Sequence, residues 1–257
     1  MDGESPGLEK FRHSYRCQGV IGAHLRPGYK PGQTPVNNGD CIILDFENRF
    51  FGLSDSSDRD PDASKRFLVQ FDCLLSSIAP KPNAVQIFGS KDLKRWVDDL
   101  TRKTNSLLLD LKGNGSCTFT GLHFLNTSNG LVSVLMHTGD SSLYEFVPNK
   151  QTLFRRTENN FWMVGRTDKL YQVTTFEFGS KSIFIMATDG MSDLRDASTS
   201  LPKERALKIL CQNAVEDIPR ELIIHEILES GLYDDVAVIA IAPQQLMASK
   251  RKILIEQ

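Results

Sequence analysis

Aspartates stand where several apolar, strand-like runs begin or end. Asp55 closes "FGLSD", Asp140 closes "VLMHTGD", Asp189 closes "FIMATD", and Asp234 opens "DDVAVIAIA". Clustered carboxylates without histidine or thiolate are oxygen ligands that suit Mg²⁺ or Mn²⁺ and hold zinc poorly. Each aspartate alone could also be a solvated turn or a helix cap, because aspartate is common in turns. Their recurrence favours a divalent-metal site.

A predicted hairpin adds a fifth carboxylate. The runs "CIILDF" and "RFFGLS" are strand-like and are separated only by Glu47 and Asn48, which predicts a tight antiparallel connection. With the turn centred there, Asp40 lies directly opposite Asp55 on the neighbouring strand. Like charges in such a pair destabilise a sheet, and a bound cation would remove that penalty.

Antiparallel geometry is expected to bring these residues to one edge. The start of one strand lies beside the end of its neighbour, so Asp40 and Asp234 at strand starts can meet Asp55 and Asp189 at strand ends. Gly190, directly after Asp189, would let the backbone turn away without a Cβ clash.

The elements that must position these residues follow in a clear order. Apolar residues at helical spacing predict helices from Pro61 to about residue 78, within 91–111, near 203–215 and at 219–230. Between and after them we expect strands in "CTFTGLHFL", "LVSVLMHTG", "SLYEFV", "LYQVTTFEF", "SIFIMAT" and "VAVIAIA". This order does not fit a βαβ repeat. It predicts an α+β fold with antiparallel sheets and helix pairs outside them.

Composition excludes several function classes. The 257 residues carry 30 basic and 32 acidic side chains, a net charge of -2, so no overall field favours nucleic acid or an anionic membrane. Five scattered cysteines show no zinc spacing and indicate no disulfide framework. No stretch reads as a signal core or a membrane span, so we expect a cytoplasmic protein without membrane insertion. Residues 1–14 and 244–257 are predicted as tails, and 23–40 as a long loop.

The same motifs resemble a known family. "MATDGMSDL", "MHTGDSSLYEF", "YDDVAVIAIA", "NNGDCIIL" and "FFGLSDSSD" are similar, in order and spacing, to motifs of the metal-dependent serine/threonine protein phosphatases of type 2C. The short loops also resemble the related bacterial sporulation stage II protein E-like branch. The resemblance spans residues 15–243, which it implies to be one phosphatase domain.

The resemblance implies a fold and a site. The fold would be a four-layer αββα sandwich of two mainly antiparallel sheets flanked by helix pairs. Asp55 would bridge two ions, Asp189 and Asp234 would bind the second ion, and Asp40 would support them. Asp140 would help to hold a third ion, and the Ser56 carbonyl would replace that of the usual glycine. A water bridging the Mn²⁺ or Mg²⁺ ions would attack the phosphorus of phosphoserine or phosphothreonine in a protein.

Departures from the family pattern motivate an alternative. Gly39 stands at the place of a glutamate, Ser56 and Ser57 replace an Asp-Gly type of turn, and Ser142 stands at the place of an arginine. Pro35 occupies the place of the usual phosphate-binding arginine, for which Arg16, Arg26 or Lys30 could substitute if they are not ordinary loop charges. The alternative is a weak or inactive binding or regulatory module, and a regulatory partner is left open. A third hypothesis is a metal-dependent hydrolase of small phosphoesters.

Two further features have competing interpretations. His137 could protonate a leaving oxygen, but its place inside an apolar strand favours a core histidine. The segment 158–166, "ENNFWMVGR", could form a flap over a substrate, although we expect its aromatic residues to be buried anchors.

Overall fold

The computed structural model describes residues 8–28, 38–57, 61–78, 87–191, 203–230, 234–246 and 251–256. Thirteen strands lie within these ranges: β1 Leu8–Phe11, β2 Ser14–Cys17, β3 Ile21–Arg26, β4 Asp40–Asp45, β5 Phe50–Asp55, β6 Phe119–Thr127, β7 Gly130–Thr138, β8 Ser142–Val147, β9 Thr152–Arg155, β10 Gln172–Glu177, β11 Ile183–Ala187, β12 Val236–Ile241 and β13 Lys252–Ile255. The α-helices within them are α1 Asp62–Ile78, α2 Ser90–Asp110, α3 Lys203–Gln212 and α4 Ile218–Ser230.

Two sheets contain all of these strands. One sheet has the order β1-β13-β4-β5-β6-β7-β10, and the other has the order β2-β3-β12-β11-β8-β9. The pairing is antiparallel except between β1 and β13, which run parallel. The predicted α+β class with two mainly antiparallel sheets is therefore confirmed.

Three apolar clusters define the layers of the molecule. The inner faces of both sheets pack together through side chains such as Leu44, Phe51, Phe124 and Phe184. The outer face of the seven-stranded sheet packs on α1 and α2. The outer face of the six-stranded sheet packs on α3 and α4. The result is a helix–sheet–sheet–helix sandwich, because each sheet has one face for the other sheet and one face for a helix pair.

Helix α1 shows how local pattern leads to this packing. Its fully buried Phe67, Phe71 and Leu75 recur at intervals of four residues and so form one stripe on the helix. Phe119 of β6 lies within ring-stacking distance of Phe67 and Phe71, with centroid separations of 4.8 and 5.0 Å. The stripe therefore fixes α1 on the sheet beside the end of β5, where Asp55 lies.

The sequence assigns too little structure to both ends of the chain. Residues 8–14, predicted as part of a tail, contain β1 and the start of β2, and the predicted C-terminal tail contains β13. The predicted loop 23–40 begins inside β3, which ends at Arg26. Short strands with mixed polar residues have no clear apolar pattern in the sequence, because their stability comes from pairing with distant segments. The outer limits of the phosphatase domain stay a prediction.

No helix in the described part of the chain is long and apolar enough to cross a lipid bilayer.

Candidate functional site

Asp40 and Asp55 are direct cross-strand partners in the β4–β5 hairpin, as the sequence predicts. Asp40 is fully buried and Asp55 is half-buried. Burial and the Asp55 charge raise the pKa of Asp40 well above its ordinary range. Burial and the Asp189 charge raise the pKa of Asp55 to about 8. The hairpin thus forces together two carboxyl groups that resist being ionised at the same time.

Thr188 connects this hairpin to the other sheet. Its Oγ1 donates a hydrogen bond to Asp40 Oδ2 at 2.8 Å and accepts one from the Ala237 amide at 2.9 Å. Strands β11 and β12 are antiparallel neighbours, with Ala187 opposite Val238. Asp189, just after β11, and Asp234, just before β12, therefore reach the same edge as Asp40. The sequence contains no signal for the role of Thr188 beyond its position beside Asp189.

Asp189 and Asp234 lie at the solvent-exposed side of this cluster. Partial burial of the Asp189 carboxyl and the charges of Asp140 and Asp234 raise the pKa of Asp189 to about 6. Asp140 and Asp234 also contribute to the raised pKa of Asp55. The five predicted aspartates therefore act on one another electrostatically, with Asp40 innermost.

A tight turn after β7 positions Asp140. Gly139 has φ +108°, and a Cβ there would lie 2.7 Å from the Thr118 side chain, so only glycine fits. The Gly139 amide donates to Asn160 Oδ1 at 2.9 Å, and the Asn160 amide donates to the Gly139 carbonyl at 3.1 Å. Asn160, which the sequence does not single out, thus ties the Asp140 turn to the segment between β9 and β10.

Asp235 has a different role from its neighbour Asp234. Its buried carboxylate accepts hydrogen bonds from the amides of Gly28 and Gly39, each at 2.8 Å. It thereby fixes the residue directly before Asp40 and the segment after β3. Asp234 is exposed and Asp235 is buried, so these adjacent aspartates differ in role, although both directly precede β12 in the sequence.

Gly190 is required by a close approach of two backbone segments. A Cβ at this position would lie 1.7 Å from the Asp235 carbonyl oxygen. The prediction that glycine follows Asp189 for steric reasons is therefore confirmed, and the obstacle is the backbone at the start of β12.

Ser56 continues the β5 strand into the site. Its amide donates to the Gly39 carbonyl at 3.2 Å, and its Oγ lies 2.9 Å from Ser64 Oγ of α1. Ser56 is not among the described non-glycine residues with positive φ. A serine is therefore accommodated here without backbone strain, although the assignment of its carbonyl as a ligand stays a prediction.

His137 is a core histidine, as its apolar surroundings in the sequence suggest. Its ring is fully buried, with Nδ1 2.9 Å from Thr120 Oγ1 and Nε2 3.0 Å from the Glu158 carbonyl. Burial lowers the pKa of His137 to about 4. Both ring nitrogens are engaged within the protein, so the ring is not poised to protonate a substrate.

The expectation of buried aromatic anchors in residues 158–166 is wrong for Phe161. The Phe161 side chain is 99% exposed, whereas Trp162 is half-buried with its ring centroid 5.6 Å from that of Tyr171. Sequence pattern alone cannot predict this, because the buried anchor of the segment is the polar Asn160.

The basic residues considered for phosphate binding are placed differently. Arg16 forms an ion pair with Asp217, so its charge is already engaged. Arg26 lies exposed at the end of β3, opposite Val236. Lys30 and Pro35 lie outside the described residues.

The residues of this site fit a hard divalent cation by their chemistry. The donors are carboxylate oxygens, and buried Asp40 Oδ1 has no hydrogen-bond donor among the residues that the structure describes. A cation would satisfy this oxygen and offset the mutual repulsion of the carboxylates. As they stand, no three His, Cys, Asp or Glu side chains in the described ranges are gathered closely enough to hold an ion.

Comparison with known proteins gives a family match and a shared fold. The family model for Stage II sporulation protein E (SpoIIE) matches residues 82–244, which is more than half of the chain. No curated protein sequence matches the chain at a significant level.

Solved structures with this fold share little sequence with the chain. The Mycobacterium tuberculosis serine/threonine phosphatase PstP/Ppp superposes with a TM-score of 0.60 at 18% identity, covering 86% of this chain and 96% of that one. A PstP catalytic domain in complex with two manganese ions gives a TM-score of 0.59 at 18% identity, with the same 86% and 96% coverage.

A third structure is the PPM Ser-Thr phosphatase MsPP from Mycobacterium smegmatis in complex with cacodylate. Its TM-score is 0.61 at 14% identity, with 86% of this chain and 97% of that chain covered. At such low identity these structures show the fold alone. Together with the family match, they show that the chain belongs to the SpoIIE family and has the fold of the PPM-type serine/threonine phosphatases.

Proposed function

We propose that the chain is a metal-dependent phosphomonoesterase that hydrolyses phosphoserine or phosphothreonine in proteins. The observation that carries this proposal is the Asp40–Asp55 pair, because two facing carboxyls with raised pKa values are costly unless a cation lies beside them. The family match and the phosphatases that share the fold support the reaction class.

The site residues divide into ligands and supports. Asp55, Asp189 and Asp234 would hold two Mn²⁺ or Mg²⁺ ions, with the Ser56 carbonyl as a further ligand and Asp140 available for a third ion. Such ions acidify a bound water and offset the negative charge on a phosphoryl group. The manganese complex of PstP supports divalent-metal use.

The chain's own residues supply rigidity to this arrangement. Thr188 orients Asp40 by a hydrogen bond to Oδ2, while Oδ1 has no hydrogen-bond partner among the described residues. Asp235 fixes Gly39 and so the start of β4. These contacts hold the acidic groups together despite their repulsion, so that the folding free energy of the sandwich maintains the site.

A second candidate function is a weakly active or inactive module that binds a partner. Two observations favour it: the described carboxylates do not form a closed ligand set, and Gly39 supplies no carboxylate beside Asp40. The loss of metal binding distinguishes this candidate from an active enzyme. A cytoplasmic location and the lack of nucleic-acid binding stay predictions from the sequence.

The test is hydrolysis of a phosphothreonine peptide and of p-nitrophenyl phosphate with Mn²⁺, with Mg²⁺ and with a chelator, beside calorimetric titration of each metal. We expect turnover that needs metal and a peptide preferred over the small ester. Preference for the small ester would indicate a hydrolase of small phosphoesters. Absence of both turnover and metal binding would refute the proposed enzyme and favour the binding module.

A further inference from the structure

A polar cavity lies next to the candidate site and is not used by the function proposed above. Its volume is about 180 Å³, and it is lined by Ser56, Asp62, Ala63, Arg66, Asn114, Gly115 and Ser116. Pockets for drug-sized ligands measure roughly 300–1,000 Å³. This cavity therefore suits one charged or polar group of a larger molecule.

The cavity adjoins the Asp55 strand directly. Ser56 follows Asp55 and pairs with Cys117 in a β-bridge, and the Ser57 amide donates to the Ser116 carbonyl at 2.9 Å. A group in the cavity would thus lie beside the chain segment that carries Asp55. A substrate residue that flanks the phosphorylated one could reach it.

Arg66 gives the cavity its preference in charge. This exposed side chain of α1 makes one hydrogen bond within the described residues, a long one of 3.4 Å from Nη1 to the Asn114 carbonyl. A guanidinium has five N–H donors in a planar fork, so within the described part of the chain most of the Arg66 donors are available to a ligand. A planar fork of this kind matches the two oxygens of a carboxylate or phosphoryl group.

Two hydroxyl groups in the wall of the same cavity, those of Ser56 and Ser116, add hydrogen-bonding capacity. Ser56 Oγ is paired with Ser64 and Ser116 Oγ with Ser57, at 2.9 and 2.7 Å. Each hydroxyl has one proton and two lone pairs, so these pairs can rotate to offer a donor to an anion. Gly115 has φ +87°, and a Cβ placed on it would lie 3.0 Å from the Ala63 side chain. This loop and helix α1 therefore approach each other closely at the cavity wall.

We propose that this cavity is a substrate subsite in which Arg66 binds an oxyanion of the phosphoprotein, either an acidic side chain or a second phosphoryl group, next to the phosphorylated residue. The identity of the ligand as part of a phosphoprotein rests on the proposed function. Asp62 also lines the cavity, and its negative charge would repel an anion. We therefore expect the subsite to bind an anion with moderate affinity. Because Arg66 is exposed, its effect is expected to weaken with salt.

The first test does not depend on turnover. The backbone amides of Gly115 and Ser116 and the Arg66 Nε–H are followed by NMR while inorganic phosphate is added to protein in EDTA. We expect these signals to shift, the shifts to vanish in Arg66→Ala, and Asp62→Asn to lower the phosphate concentration required about threefold. Arg95→Ala, which removes an exposed arginine from α2, is the matched control and should retain the shifts.

The second test compares three phosphothreonine peptides that differ only in flanking residues, which are aspartate, phosphoserine or asparagine. With metal present, we expect kcat/KM for both anionic peptides to exceed that for the asparagine peptide about three- to tenfold. Arg66→Ala should reduce this ratio to about one, Arg66→Lys should retain part of it, and Arg95→Ala should leave it unchanged.

The outcomes separate the subsite from the enzyme. Turnover without preference for anionic peptides, or a preference that survives Arg66→Ala, overturns the subsite and leaves the phosphatase intact. A preference for only one anionic peptide identifies the source of the oxyanion. Phosphate shifts without turnover overturn both the proposed function and the assignment to a substrate. Absence of any shift at Gly115 and Ser116 overturns the anion site itself.

Discussion

Asp40 and Asp55 face each other across the β4–β5 hairpin, and both have raised pKa values: burial and the Asp55 charge raise the pKa of Asp40, while burial and the Asp189 charge raise that of Asp55. Because backbone pairing of two buried strands places them opposite each other, the fold holds the two carboxyl groups close together. The protein therefore carries electrostatic strain at the place where its other strand-end aspartates meet.

Asp55→Asn should raise the stability of the metal-free protein and abolish metal-dependent hydrolysis. The amide needs no proton and carries no charge, so the cost of burying an ionisable carboxyl in the cluster is removed, while a ligand of the cation is lost. Thermal unfolding in EDTA and peptide hydrolysis with Mn²⁺ measure the two effects. Asp110→Asn, at the exposed end of α2, should change neither. A fall in unfolding temperature together with lost activity would show that Asp55 serves the fold.

Gly190→Ala should destabilise the protein by about 2–4 kcal/mol, because its Cβ would collide with the Asp235 carbonyl at 1.7 Å. Hydrolysis and metal affinity should fall as well, since the displaced segment carries Asp189. Gly89→Ala is the control, because its Cβ would meet Asp92 at an ordinary 3.5 Å. Urea denaturation of both variants measures the difference, and equal stabilities would contradict the steric argument.

Asp235→Asn should cost about 1–3 kcal/mol of stability. An amide can accept from only one of the Gly28 and Gly39 amides, and its own N–H₂ then faces the other donor. We expect weaker metal binding in calorimetry, because the segment leading to Asp40 loses its anchor. Asp168→Asn, an exposed change of the same type, is the comparison. Unchanged metal affinity would show that Asp235 does not position Asp40.

A buried ion cluster lies at the other end of the β4–β5 hairpin, and it should make the stability of the protein depend on pH. Lys252 Nζ lies 3.1 Å from Asp45 and 2.9 Å from Asp72, and all three side chains are buried. Burial and the hydrogen bond with Asp45 raise the pKa of Asp72 to about 7. Between about pH 4, the unfolded value, and pH 7, the folded state then binds the extra proton, so the contribution of Asp72 to stability falls as the pH rises.

Asp72→Asn should flatten this part of the pH profile, as measured by urea denaturation from pH 4 to 8. Lys252→Met should cost about 3–5 kcal/mol, because it leaves Asp45 and Asp72 buried without their cation. Lys91→Met, which removes an exposed lysine from α2, is the control and should leave the stability nearly unchanged. An unaltered pH slope in Asp72→Asn would assign the titration to another group.

Long periodic segments made most of the fold predictable. Helices α1, α2 and α4 begin and end within two residues of the predicted bounds, and β8 coincides with "SLYEFV". In these segments the apolar pattern and the buried face agree. The register of the β4–β5 hairpin was predictable for a different reason: the centre of its turn, at Glu47 and Asn48, sets which residues of the two strands face each other.

Strands β1 and β13 were not predictable by the same means. Their parallel pairing joins residues that are more than 240 positions apart, from Leu8 with Lys252 to Phe11 with Ile255. Lys252 belongs to a basic run in the sequence, yet its side chain is buried, because its charge forms ion pairs with Asp45 and Asp72. A local pattern contains no information on such distant partners.

The sequence by itself determined the long helices, most of the strands and the set of aspartates at strand ends, because each depends on nearby residues and on strand geometry. Only the tertiary structure decided which polar residues support them. Thr188, Asn160 and Asp235 act through hydrogen bonds to segments distant in the chain, and Arg66 meets Ser56 and Ser116 only where α1 packs beside β5. Those contacts depend on how the layers pack, which no local pattern specifies.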